Sequence, residues 1–98
     1  MKRKDRARRF ARLTDIGCIV CLNQGRGWVA PEIHHLKGNP WSGMGMRAGD
    51  CHTIPLCPGH HRHGGQGEVG YHQSPAEFRE RYGSQADLYA QVEEIIDA

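Results

Sequence analysis

Two short segments, far apart in the chain, share one spacing: Cys18-Ile19-Val20-Cys21 and Cys57-Pro58-Gly59-His60. No other feature constrains the fold as tightly. Each x-x spacing suits a tight knuckle that places two donor atoms on one tetrahedral ion, and two such half-sites are far more specific than one. The pattern predicts a structural zinc held by Cys18, Cys21, Cys57 and His60. Cys51 is the spare thiol: it reads either as a small buried hydrophobe or as a substitute for His60 in the zinc site. A redox role for Cys18 and Cys21 lacks the surrounding βαβ pattern that such thiols normally have.

Composition explains why a metal would be needed. Leu, Ile, Val and Phe number 17 of 98 residues, while the net charge is only +2. The apolar content is marginal for a core, yet the charge is too small to mark a disordered chain. Small domains in this position enlist disulfides, metals or partners. No stretch is apolar enough to span a bilayer, and the basic start is not followed by an apolar signal segment. A cytoplasmic protein with no membrane partner is expected, in a compartment where thiols stay reduced and available as ligands.

The length suits a single domain. Residues 1–12 carry seven Lys/Arg against one acid, whereas the last fifteen carry four acids and no Lys/Arg. Residues 1–14 read as a basic arm or helix, with Phe10 and Leu13 on one thin stripe, and residues 15–98 as the domain proper. Arg6, Arg8, Arg9 and Arg12 are candidates for a polyanion such as nucleic acid. The region 17–70 holds 12 of the 13 Gly, which predicts short strands, turns and loops, with 38–49 as one long connection. Ser74-Pro75-Ala76-Glu77 is a capping box with Pro at the first helical position. It predicts a helix ending at Gly83, and Ser84 opens a second, with Leu88, Val92, Ile95 and Ile96 on its apolar face.

The seven His all lie between residues 34 and 72, and two pairs stand out: His34-His35 and His60-His61. Neighbours on a strand point to opposite faces, so His34 and His35 can serve one centre only if they sit at a strand end or do different jobs around it; two roles are implied. On a helix, His60 and His61 diverge by about 100°, so one turn can close the zinc site and feed a second one.

His34-His35-Leu36, a Gly-rich connection, and then the run from His52-Thr53-Ile54-Pro55-Leu56-Cys57 to His60-His61-Arg62-His63-Gly64 together resemble the ββα-metal motif of HNH (His-Me finger) endonucleases. More narrowly, they resemble the phage and prophage recombination-enhancement, RecA-dependent nuclease family. Gly70-Tyr71-His72 and Phe78-Arg79-Glu80-Arg81-Tyr82-Gly83 extend the likeness. The resemblance implies a small zinc-stabilised α+β domain of ββα-metal type with flanking helices. It also implies metal-dependent endonucleolytic hydrolysis of DNA phosphodiester bonds in phage recombination. His34 and His61 become ligands of the active-site metal, and His35 the general base. His72 becomes either a third ligand or a structural His before Ser74. His52 takes the central position, usually Asn, which braces the loop between the strands or approaches the metal.

Such hydrolysis needs a positioned water, a base and a cation at the developing oxyanion. Magnesium or manganese suits turnover, although imidazoles also attract zinc. Lys37 and Arg62, beside the two His pairs, are candidates for phosphate contacts. With no base-reading helix in view, targeting falls to a partner, which the family resemblance identifies as a RecA-type recombinase filament on DNA. The rival from another class is a non-catalytic, zinc-stabilised nucleic-acid-binding module.

Overall fold

The structure, a computed structural model, describes residues 3–38, 40–41 and 49–98. Most of the 38–49 connection, and Lys2 of the basic segment, lie outside the described residues. The fold is α+β: helices α1 (Arg3–Ile16) and α2 (Ile19–Asn23), strands β1 (Glu32–His35) and β2 (Thr53–Leu56), a π-helical turn (Gly59–His63), then α3 (Pro75–Tyr82) and α4 (Gln85–Asp97).

Helix α1 buries Leu13 and rests Phe10 and Ile16 against the core. Gly17, at φ 78°, ends it. A Cβ at Gly17 would lie 2.8 Å from Trp28 Cδ1 and 3.0 Å from Val29 O, so only Gly fits this turn. The Trp28 indole N–H donates to Thr14 O at 2.8 Å, tying the following loop to the end of α1. The turn delivers Cys18 as the cap of α2, where its sulfur accepts from the Cys21 backbone N–H at 3.4 Å. The first knuckle is therefore a helical turn. At five residues α2 is too short to leave a periodic signal in the sequence.

Strands β1 and β2 pair antiparallel, with Glu32 opposite Leu56 and His34 opposite Ile54. By strand alternation these four residues share one face, while Ile33, His35, Thr53 and Pro55 share the other. All four residues of β2 are buried. A two-stranded ribbon is not stable alone, and this one is covered on both sides.

On the His35 face, Arg9 reaches in from α1. Its Nε and Nη2 donate to Thr53 Oγ1 (2.9 Å) and Thr53 O (2.7 Å), and Nη1 lies 2.7 Å from Glu93 Oε1 of α4. The assignment of Arg9 to nucleic acid is therefore corrected: with a side chain only 10% exposed, it clamps α1, β2 and α4 together. Arg9→Ala takes the guanidinium away from Glu93 and from Thr53, whose hydroxyl keeps its bond to Asp50 O, and should cost about 2–4 kcal/mol in denaturant melts. A loss below about 0.5 kcal/mol would contradict this role.

The expected motif helix is a single π turn in which Gly64 N–H donates to Gly59 O at 2.8 Å. The chain then returns beside this turn: Tyr71 N–H donates to His60 O (2.8 Å) and His72 N–H to His61 O (3.0 Å). Gly70 permits that approach, because a Cβ there would lie 2.6 Å from the Arg62 carbonyl carbon. The two C-terminal helices begin where capping chemistry predicts. Ser74 Oγ accepts from Glu77 N–H, and Ser84 Oγ accepts from Asp87 N–H. Phe78, Leu88 and Val92 are buried, whereas Ile95 and Ile96 are only half-buried.

Candidate metal centres

The π turn and the α2 cap bring the two half-sites together. His60 Nδ1 lies 3.5 Å from Cys18 Sγ, 3.5 Å from Cys21 Sγ and 3.3 Å from Cys57 Sγ, and the Cys21 and Cys57 sulfurs are 3.8 Å apart. Zinc bond lengths of about 2.3 Å to sulfur and 2.0–2.1 Å to nitrogen make tetrahedral edges of about 3.8 Å (S–S) and 3.6 Å (S–N). The observed spacings are such edges, so this buried cluster could hold a metal such as zinc. Cys51 is not part of it; its sulfur sits 3.4 Å from His52 Nδ1. His60 Nε2 lies 2.8 Å from Glu68 Oε1, a carboxylate partner that fixes the ring with Nδ1 toward the sulfurs. All four cysteines are free thiols. Burial pushes the Cys18 and Cys21 thiols above their ordinary pKa.

The second group joins three segments: His34 from β1, His61 from the π turn and His72 from the returning chain. One nitrogen from each lies within 4.8 Å of the others, and the ring centroids are 4.9–5.4 Å apart. The hydrogen bonds around these rings determine which nitrogens are available. Gln85 Nε2 donates to Lys37 O (3.1 Å) and Gln85 Oε1 accepts from Lys37 N–H (3.0 Å), which sets the amide orientation. His34 Nε2, 2.9 Å from that same oxygen, must therefore be the donor. His34 Nδ1 is left as a bare lone pair, buried and without a hydrogen-bond partner among the described residues. Burial lowers the His34 pKa to about 3, against the pull of the Gln85 bond, so the ring is neutral near pH 7. Burial also lowers His72.

His61 Nδ1 lies 2.9 Å from Glu32 Oε1, leaving Nε2 free, and the same carboxylate takes Arg62 at 2.9 and 2.7 Å. Contact with His61, then with Arg62, holds Glu32 below the usual carboxylate range. A buried, unpaired imidazole nitrogen beside two further rings could hold a metal ion, with His34 braced from behind by Gln85 and His61 by Glu32. Glu32→Gln removes the charge behind His61 and should weaken divalent-ion binding here about 10–100-fold, read by titration calorimetry on zinc-loaded protein. An unchanged affinity would remove His61 from the ligand set.

His35 lies on the opposite face of β1, as alternation requires. Its Nε2 is 2.8 Å from Asp50 Oδ1, and Arg6 of α1 lies 3.5 Å from Asp50 Oδ2. The His35 side chain is 13% exposed. His52 stands apart from the imidazole group. Its backbone ties the strand ends, donating to Gly49 O and accepting from Leu36 N–H, both at 3.0 Å, and its ring lies against Tyr89. Lys37 and Arg8 are exposed. Arg62 is exposed but committed to Glu32, and Arg12 donates to Ile96 O at 3.2 Å. The supporting residues Glu32, Asp50, Glu68 and Gln85 escaped the sequence reading. Glu32 alone left a signal, standing two residues before His34 and so on the same strand face. Gln85 is 51 residues from its partner.

Among the described residues no helix is long and apolar enough to cross a membrane. In Escherichia coli K12, the uncharacterised protein YdfU is 37% identical to this chain over 71 residues. The match covers 72% of the chain but spans only 17% of YdfU's length. The sequence model describing recombination enhancement, RecA-dependent nucleases matches residues 3–97. That match reaches from α1 to the end of α4 and takes in both half-sites and all three imidazole-bearing segments, so the chain belongs to the recombination enhancement, RecA-dependent nuclease family.

Proposed function

We propose that this chain is a metal-dependent DNA endonuclease of HNH type, hydrolysing phosphodiester bonds during phage or prophage recombination. The observation that carries the reading is the buried, partnerless His34 Nδ1 within reach of two further imidazoles. In this reading the hairpin and π turn form the ββα-metal unit, and Cys18, Cys21, Cys57 and His60 hold a structural zinc. His34, His61 and His72 would hold magnesium or manganese; such an ion, when bound, supplies positive charge for the phosphate oxygens and leaving group.

The protein's own groups do the rest. His35 gives its Nε2 proton to the Asp50 hydrogen bond, which leaves Nδ1 as the base that takes a proton from the attacking water. His52 braces the loop through its backbone. Lys37, Arg62, Arg6, Arg8 and Arg12 attract the DNA backbone, Arg6 from beside the His35–Asp50 pair. Targeting comes from a RecA-type recombinase filament, and free thiols suit a cytoplasmic setting.

The alternative, a non-catalytic zinc-stabilised nucleic-acid-binding module, draws on one observation: His35 and the imidazole group lie on opposite faces of β1. A cleavage assay separates the two. The protein is incubated with single-stranded, duplex and strand-exchanged DNA, with magnesium or manganese, and with or without recombinase filaments. Metal-dependent cutting is expected. Absence of cutting under every condition would favour the binding module.

A further inference from the structure

Next to the three imidazoles lies a cavity of about 480 Å³ whose walls include Lys37, Trp41, Tyr71, Phe78, Arg79 and Gln85. Pockets of this volume bury small ligands. Tyr71 and Gln85 separate it from the imidazoles: the Tyr71 ring is 4.6 Å from His34 and 5.4 Å from His72, and Gln85 is the hydrogen-bond partner of His34. A ligand seated in the cavity would therefore adjoin any phosphate held at the imidazole group.

The lining has one sign of charge. Arg6, Arg9, Arg26 and Arg62 each face a carboxylate. Lys37 and Arg79, by contrast, have no side-chain partner among the described residues, and no acid lines the cavity. Two uncompensated cations share the cavity wall with the aromatic side chains of Trp41 and Tyr71. Cations for phosphates, with rings on which bases stack, are what a flexible single strand requires. The polar groups available to read a base are few. Gln85 is occupied by His34 and the Lys37 backbone, and Ser84 Oγ by Asp87 N–H.

We propose that this cavity seats an unpaired nucleotide of a DNA strand, with its base on Trp41 and Tyr71 and its phosphates near Lys37 and Arg79. The inference rests on the nuclease reading of the adjoining imidazoles and names the strand type that site accepts. A paired base is already stacked and would have to be flipped out to enter, whereas a single strand offers its base faces freely. Binding is selective for unpaired DNA and tolerant of sequence.

The test is fluorescence anisotropy of the zinc-loaded full chain, without added magnesium or manganese, against a labelled oligo-dT, the same length of abasic strand, and a duplex. The oligo-dT should bind most tightly. Trp41→Ala, checked for retained zinc, should lose roughly 5- to 100-fold in affinity for oligo-dT, the ordinary worth of one base stack, as should the abasic strand. Trp41→Phe should recover most of that loss, and Arg79→Ala should weaken binding with a shallower salt dependence. Equal affinity for duplex and single strand, no effect of Trp41→Ala, or no binding to any DNA overturns the proposal. Selective binding without cleavage would sink the nuclease reading alone, and cleavage without strand selectivity would sink this inference alone.

Discussion

Replacing Cys57 with Ser is expected to leave the chain zinc-free and largely unfolded. A structural zinc of this ligand type contributes about 10–16 kcal/mol to folding near neutral pH, whereas a domain's whole net stability is about 5–15 kcal/mol. Cys18, Cys21 and Cys57 are themselves core members beside Ile19, Val20, Leu56 and Phe78, so loss of the ion leaves three thiols and a buried imidazole in its place. Removing metal from the wild-type protein should have the same outcome. Circular dichroism should show lost helix, and metal analysis one tightly held zinc fewer. His72→Ala is the control, because it touches only the second group and should keep both zinc and fold. Native near-ultraviolet dichroism after exhaustive chelation would refute the structural role.

His35→Ala should lower DNA cleavage by about 10²- to 10⁴-fold while leaving the zinc site and the melting curve nearly unchanged, since a positioned base contributes about that much. The substitution removes the only imidazole on its face of β1 and leaves His34, His61 and His72 in place. Metal affinity at those three rings should therefore persist. Asp50→Asn should reduce cleavage less, because it disturbs the ring's tautomer without deleting the base. Single-turnover rates with matched metal occupancy check both variants. Undiminished cutting by His35→Ala would end the proposed mechanism even if the enzyme reading stood.

Local chemistry made part of this molecule legible in the sequence. Ser74 and Ser84 announce their helices through short-range caps. The paired x-x spacings of Cys18/Cys21 and Cys57/His60 announce a shared ligand cluster, because donor geometry restricts separation along the chain. Helix α2 was missed because five residues carry no period, and the π turn because its i→i+5 bonding depends on Gly59, Gly64 and the chain returning at Gly70.

By itself, the sequence determined the element types at the C-terminus, the pairing of the two Cys/His half-sites and the opposite faces of His34 and His35, all of which follow from capping, donor spacing and the two-residue period of a strand. Tertiary structure alone decided which groups stand behind those residues. It set Glu32 behind His61, Gln85 behind His34 and Asp50 behind His35. It also took Arg9 out of the basic surface and placed it between α1, β2 and α4. These choices depend on contacts between residues 15 to 84 positions apart, where an arginine or a carboxylate carries no local mark of whether it will meet solvent or a buried partner.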